Sequence, residues 1–159
     1  MNAAIICVGK LREKFYAAAA EEYQKRISRF GKLEIIELPD LPEPANASDA
    51  DRLKVMEKEG EQILSRIRPG DRVIALCINA PQYESERFAA HLADNEMRFG
   101  SRQAFVIGGS LGLSGAVLRR ADEQMSLSKM TFPHQLARVL LLEQLYRACK
   151  INAGEKYHK

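Results

Sequence analysis

Apolar residues along this chain fall into two kinds of spacing, and the two alternate. Short, nearly unbroken runs occur at "AAIICV" (3–8), "LEIIEL" (33–38), "RVIALCI" (72–78) and "QAFVIG" (103–108). Runs of this length predict strands. Those at 3–8 and 72–78 predict strands covered on both faces, whereas the charges within 33–38 predict a strand near an edge. Between the runs, apolar residues recur every three or four positions. Phe15, Ala19, Tyr23, Ile27 and Phe30 predict a helix ended by Gly31 as a left-handed cap. Leu53, Met56, Ile63, Leu64 and Ile67 predict a second, with Ser48 and Asp51 as its capping pair, after a loop (39–48) whose prolines deny it regular structure. Ser85, Phe88, Leu92 and Phe99 mark a third. A short helix (116–121), a short strand (about 124–127) and a helix from Pro133 to about Lys150 complete the chain, the proline suiting a first helical turn.

Strand and helix alternating without a repeat or a linker predict one α/β domain over 1–159, a mainly parallel sheet flanked by helices. Ligands of such sheets sit beyond the carboxyl ends of the strands. That rule brings three segments to one rim: 76–80, 108–114 and 127–132. The final helix is unusual because Leu136, Val139, Leu140, Leu141, Leu142, Leu145, Ala148 and Cys149 cover more than one of its faces. Either it is entirely buried, or its second face meets another subunit, and a dimer is the expectation.

Composition changes this picture little. Of 159 residues, 46% are hydrophobic and 28% charged, as in ordinary globular proteins. No apolar run approaches the roughly 20 residues of a membrane helix, and the first residues lack the pattern of a secretory signal, so the expected compartment is the cytoplasm. Cys7, Cys77 and Cys149 form no CxxC pair and read as reduced core thiols; with only three histidines beside them, no metal site is expected. Charge is more informative by its placement. The net +3 of the chain equals that of its last fourteen residues, where Arg147, Lys150, Lys156 and Lys159 face a single acid, Glu155. A basic end suits a polyanion such as nucleic acid, and also suits a merely solvated tail.

The chemistry-bearing candidate is "IGGSLGLSG" (107–115), four glycines in nine residues directly after a strand. It matches neither the GxGxxG turn of dinucleotide folds nor the GxxxxGK[ST] phosphate loop, which argues against phosphate and against a nicotinamide enzyme. Small residues with free backbone N–H and C=O groups suit an adenine or ribose; they also suit a tight turn with no ligand.

From this loop onward the residues resemble a known family. The run from "FVIGGSLGLS" through "LSKMTFPHQLARVLLLEQLYRACKI" to the terminal "YHK" is similar to the RlmH (YbeA-type) large-subunit ribosomal RNA methyltransferases of the SPOUT, or α/β-knot, superfamily. The likeness spans the chain, including the early "VGK", and is densest over 105–159. Leu111 stands where members often carry a polar residue.

The resemblance implies a SPOUT-type α/β fold with a C-terminal trefoil knot, a homodimer, and S-adenosyl-L-methionine as cofactor. It implies methylation of N3 of a pseudouridine in helix 69 of 23S ribosomal RNA, with the ribosome as partner. It places cofactor contacts on Leu76, Gly108, Leu127, Ser128, Lys129, Met130, Thr131 and Phe132, the same three rim segments reached from strand order. For acceptor chemistry the basic end supplies candidates: His158 as proton acceptor, Tyr157 to stack on or bond to a base, and Arg147 or Lys159 to hold phosphate or anion; Arg138, early in the last helix, is a further candidate. His134 is expected to build the first turn of the last helix. The alternative is a non-catalytic RNA-binding protein of the same fold.

Overall fold

A computed structural model of the chain describes residues 1–157. Five strands, β1 (Asn2–Val8), β2 (Lys32–Leu38), β3 (Arg72–Leu76), β4 (Gln103–Ile107) and β5 (Glu123–Met125), alternate with helices α1 (Lys14–Ile27), α2 (Asp49–Leu64), α3 (Ser85–Phe99), α4 (Gly115–Arg120) and α5 (His134–Asn152). The sheet is entirely parallel in the order β2-β1-β4-β3-β5. The charged strand β2 lies at an edge, as its composition predicts, and the three apolar runs lie inside.

Alternation along each inner strand divides the core between two faces. Ile5, Phe105 and Ile74 point to one side, where they meet Ala20 and Ile27 of α1, Phe88 and Leu92 of α3, and Leu141, Leu142 and Leu145 of α5. Ile6, Val106 and Val73 point to the other, against Ile63 of α2 and Val117 of α4. The crossovers through α1 and α3 move one way along the sheet and those through α2 and α4 the other. Right-handed crossovers require that the two pairs lie on opposite faces, as they do.

Helix α5 packs between α1 and α3 with its inner side on the sheet. No residue from 134 to 151 is fully exposed. Its excess of apolar positions is thus largely absorbed within the chain, although Leu136, Val139 and Leu140 stay half-buried.

Several local expectations change. Helix α1 stops at Ile27, so Phe30 lies beyond it and the Ser28 cap is right-handed. Gly31 serves close approach instead of capping, because a Cβ there would overlap the Met1 carbonyl. Gly100, with φ 59°, is the left-handed cap, and it ends α3. Pro133 is the N-cap of α5, one position before its first turn. Leu53, Phe15 and Phe99 fit the helical spacing yet are exposed. The capping box of Ser48 and Asp51 forms as predicted, with Ser48 Oγ accepting from Asp51 N–H. Among the described residues, no helix is long and apolar enough to cross a membrane.

Candidate active site

After β3 the chain turns to α3 on one face, and after the adjacent β4 it turns to α4 on the other. Neighbouring strands whose exits diverge open a crevice at their carboxyl ends. The segment after β5 then crosses this rim to reach α5, which begins near the end of β1: a Cβ on Gly9 would lie 3.3 Å from His134 Nε2. Residues 126–133 therefore pass over the ends of β3 and β4. Cys77 N–H donates to the Met125 carbonyl (2.8 Å) and Ser126 N–H to that of Pro81 (2.9 Å), tying the crossing segment to the β3 exit.

The three segments enclose a cavity of about 640 Å³. Leu76, Gly108, Leu127, Ser128, Met130, Thr131 and Phe132 line it, together with Ile107, Leu113 and His134. Lys129, the eighth expected cofactor contact, is exposed and does not line it. The wall is apolar with backbone polar groups, as in pockets that hold an aromatic base. Gly108 is required by space: a Cβ there would sit 2.9 Å from both the carbonyl carbon and oxygen of Gly112 and 3.0 Å from Leu113 Cδ2. Gly112, with φ 86°, supplies the left-handed turn that folds the loop back, and its N–H donates to the Gly109 carbonyl at 3.1 Å. Ser126 Oγ donates to the Ser128 carbonyl, and Ser128 Oγ accepts from Met130 N–H at 3.0 Å, so the crossing segment holds its own shape.

Among the described residues, no Asp, Glu, Lys or Arg lines this cavity. Its titratable groups are His134 and Cys77, and burial raises the Cys77 thiol above the ordinary range, keeping it neutral. Cys7 and Cys149, deeper in the core, are pushed up to about 11 by burial.

The tail candidates lie elsewhere. Tyr157 Oη donates to Glu143 Oε1 (3.2 Å), its ring stands edge-on to Tyr146 at 4.9 Å, and the Arg147 guanidinium covers it at 4.7 Å. Arg147 also donates to Glu143 Oε1 at 2.5 Å. Burial, then the charge of Glu143 and the neighbouring Tyr23, push the Tyr157 hydroxyl up to about 12, so it stays protonated at neutral pH. Arg147 is ten residues beyond the cavity's Ala137, roughly 15 Å along the helix. The cluster is therefore not at its own chain's cavity. His158 and Lys159 lie outside the described residues.

Arg138 is not a phosphate ligand. It is 1% exposed, donating to Glu37 Oε2 and to the Gly9 carbonyl, both at 2.7 Å. These bonds hold the start of α5 to the ends of β1 and β2. His134, expected only to shape that first turn, lines the cavity as well.

Glu59 was not anticipated, because the charged run "EKEGEQ" hides which of its acids faces inward. It is 4% exposed, accepts from Leu41 N–H at 3.3 Å, and supports the glycine loop from behind, 3.0 Å from where a Gly109 Cβ would be. Burial raises its pKa, with the Leu41 hydrogen bond opposing in part. A carboxyl raised on folding binds its proton more tightly in the native state, so stability falls as pH rises from about 4.3 through the folded value. Glu59→Gln is expected to remove that fall. Denaturation of both proteins at pH 4 and pH 7 checks it: the two should differ at pH 7 and converge at pH 4.

With this geometry in view, comparisons with known proteins are specific. A family model described as "Predicted SPOUT methyltransferase" matches residues 1–158. The chain is 55% identical over 159 residues to Ribosomal RNA large subunit methyltransferase H of Clostridium novyi, and 54% identical to that of Bifidobacterium animalis subsp. lactis, covering all of each chain. Among solved structures it resembles a probable methylase family protein from Haemophilus influenzae, with TM-score 0.50 at 11% identity, over 96% of this chain and 66% of that one; this likeness concerns the fold alone. The chain belongs to the SPOUT methyltransferase family.

Proposed function

We propose that this protein uses S-adenosyl-L-methionine to methylate 23S ribosomal RNA at N3 of a pseudouridine in helix 69, working as a homodimer in the cytoplasm. The observation that carries the reading is the convergence of the three rim segments on one apolar cavity with a glycine wall. Its relatives' name, Ribosomal RNA large subunit methyltransferase H, supports ribosomal RNA as the acceptor. The cavity fits the cofactor in volume and in donor type: about 640 Å³, walls for an adenine, and backbone groups of 108–112 and 126–132 for its polar edge. The absence of a side chain at Gly108 lets residues 109–113 fold back against it, and that tight turn shapes the wall of the cavity.

Bound there, S-adenosyl-L-methionine supplies an electrophilic methyl group whose leaving group departs neutral. The demands on the chain then concern the acceptor. N3 of a pseudouridine lies between two carbonyls and is a poor nucleophile until it loses its proton, so the protein must position it, receive that proton and stabilise the anion. Among the described residues the cavity wall has no carboxylate to do this, and its thiol is neutral. The basic tail holds the groups for it: His158 receives the proton, Arg147 and Lys159 balance charge, and Tyr157, neutral at pH 7, stacks or donates. Because the Arg147–Tyr157 cluster is remote from its own cavity, the tail of one protomer serves the cavity of its partner. The half-buried Leu136, Val139 and Leu140 on α5 support that pairing. The passage of 126–133 beside the β3 exit, joined at Gln82 and Ser126, is where we place the trefoil knot.

Calorimetry with S-adenosyl-L-methionine and methylation of large ribosomal subunits test this together. Deleting Tyr157 to Lys159 is expected to spare cofactor binding and abolish methylation. Retained methylation would remove the tail from the chemistry. A protein that binds RNA without the cofactor would instead be a non-catalytic RNA-binding member of the fold.

A further inference from the structure

We infer that the β1–α1 turn, Lys10 to Phe15, is a second RNA-docking surface beside the cavity mouth, separate from the basic tail. Lys10, Arg12 and Lys14 are all exposed, and none forms an ion pair among the described residues. Most arginines elsewhere are paired: Arg26, Arg29, Arg52, Arg68, Arg72 and Arg102 each meet a carboxylate. Only Glu13 offsets the three cations within the turn.

Helix stability does not explain these charges. They precede and open α1, where cations oppose the helix dipole, the first turn has no acid, and the Glu13 N-cap makes no side-chain bond. Phe15 does not serve the core either. It is 63% exposed, its ring 4.4 Å from that of the half-buried Tyr16, so a large aromatic face stands among cations in solvent. Cations that track a phosphate backbone beside an aromatic that stacks on an unpaired base are the chemistry of single-stranded RNA contact.

Position joins this surface to the reaction. The side-chain oxygen of Gln135, in the first turn of α5, accepts from Arg12 N–H at 2.8 Å and from Glu13 N–H at 3.5 Å. The neighbouring His134 lines the cavity and lies against Gly9, which precedes Lys10. The turn is thus clamped to the helix that closes the cavity, and RNA lying on it is held at a set distance from the methyl donor. The inference rests on RNA being the acceptor.

The test compares wild type with the triple variant Lys10→Ala, Arg12→Ala, Lys14→Ala, and with Phe15→Leu. A control removes three exposed cations elsewhere, by Lys54→Ala, Lys58→Ala, Arg66→Ala. Large ribosomal subunits from cells lacking the protein are the RNA probe. The triple variant is expected to raise KM for subunits about tenfold, to keep kcat within about twofold, and to make the slope of log K against log salt shallower by about 2, near the 0.7 per phosphate of single strands. Cofactor affinity by calorimetry should not change, and the control should stay near wild type. Phe15→Leu should weaken subunit binding about fivefold with the salt slope unchanged. An unchanged KM and slope in the triple variant, or an equal loss in the control, overturns the proposal. Unchanged binding by Phe15→Leu overturns the stacking contact. If wild type methylates no subunits, the RNA reading itself fails, and this inference with it.

Discussion

Gly108→Ala is expected to weaken S-adenosyl-L-methionine binding by about 5- to 150-fold, the equivalent of the roughly 1–3 kcal/mol that overpacking a closed site costs. The added carbon would lie 2.9 Å from the Gly112 carbonyl group and 3.0 Å from Leu113 Cδ2. Two of those three atoms are backbone, so a rotamer change cannot relieve the contact. The loop must open, and in opening it moves the groups that would face the cofactor. Gly70, where a Cβ would meet nothing within 4 Å, is the matched control. Calorimetry on both variants checks the expectation, and equal affinities would remove the glycine loop from the cofactor site.

The largest loss of stability is expected from Arg102→Ala, at the opposite rim. Arg102 Nε donates to Asp71 Oδ1 at 3.0 Å and NH2 to Oδ2 at 2.5 Å, with side chains 4% and 2% exposed. Its NH1 reaches Glu34 at 2.7 Å and its NH2 the Arg66 carbonyl at 3.2 Å. One residue thus ties strands β2 and β4 to the turn before β3. Removing it leaves a buried carboxylate without its partner, a change that costs about 3–5 kcal/mol and, in a chain of this size, about 10 °C in Tm.

The pH dependence separates this cause from simple loss of packing. Burial alone would raise the Asp71 carboxyl, but hydrogen bonds from Arg102 and the Arg68 backbone outweigh it and hold the group below its ordinary value. A carboxyl lowered on folding stabilises the protein above about pH 3.9, and that stability is lost as pH falls through the folded value. Without Arg102 the burial effect is opposed only by the Arg68 hydrogen bond and charge, so the carboxyl loses most of what holds it down. The penalty of Arg102→Ala should therefore be greatest near neutral pH and shrink as acid protonates Asp71. Urea unfolding of both proteins between pH 3.5 and 7 measures it, and a penalty independent of pH would refute the electrostatic account. Cofactor affinity should be unaffected, because this cluster is at the other end of the strands.

The sequence by itself determined the alternation of strands and helices, the parallel sheet and the edge position of β2. Inner strands announce themselves because both faces of a parallel strand are covered, and the charged residues of β2 reveal an edge that tolerates solvent. The Ser48–Asp51 box is legible because capping depends only on residues three apart. Even the rim was readable, since parallel strands linked by right-handed crossovers must deliver their carboxyl ends to one side. Seven of the eight residues assigned by resemblance to the cofactor line the cavity found there. What only the tertiary structure decided depends on distant segments meeting. The local pattern made Gly31 a helix cap, yet it is the Met1 carbonyl that excludes a side chain there. Arg138 reads from its spacing only as a cation early in the last helix; Glu37 and Gly9, more than a hundred residues away, make it a buried tie. Glu59 is indistinguishable from its acidic neighbours until the glycine loop is laid over it. The remoteness of Tyr157 and Arg147 from their own cavity likewise follows from where α5 runs, not from its composition. Spacing along a chain reports which face a residue shares with its neighbours; it is silent about what a segment a hundred residues away brings to that face.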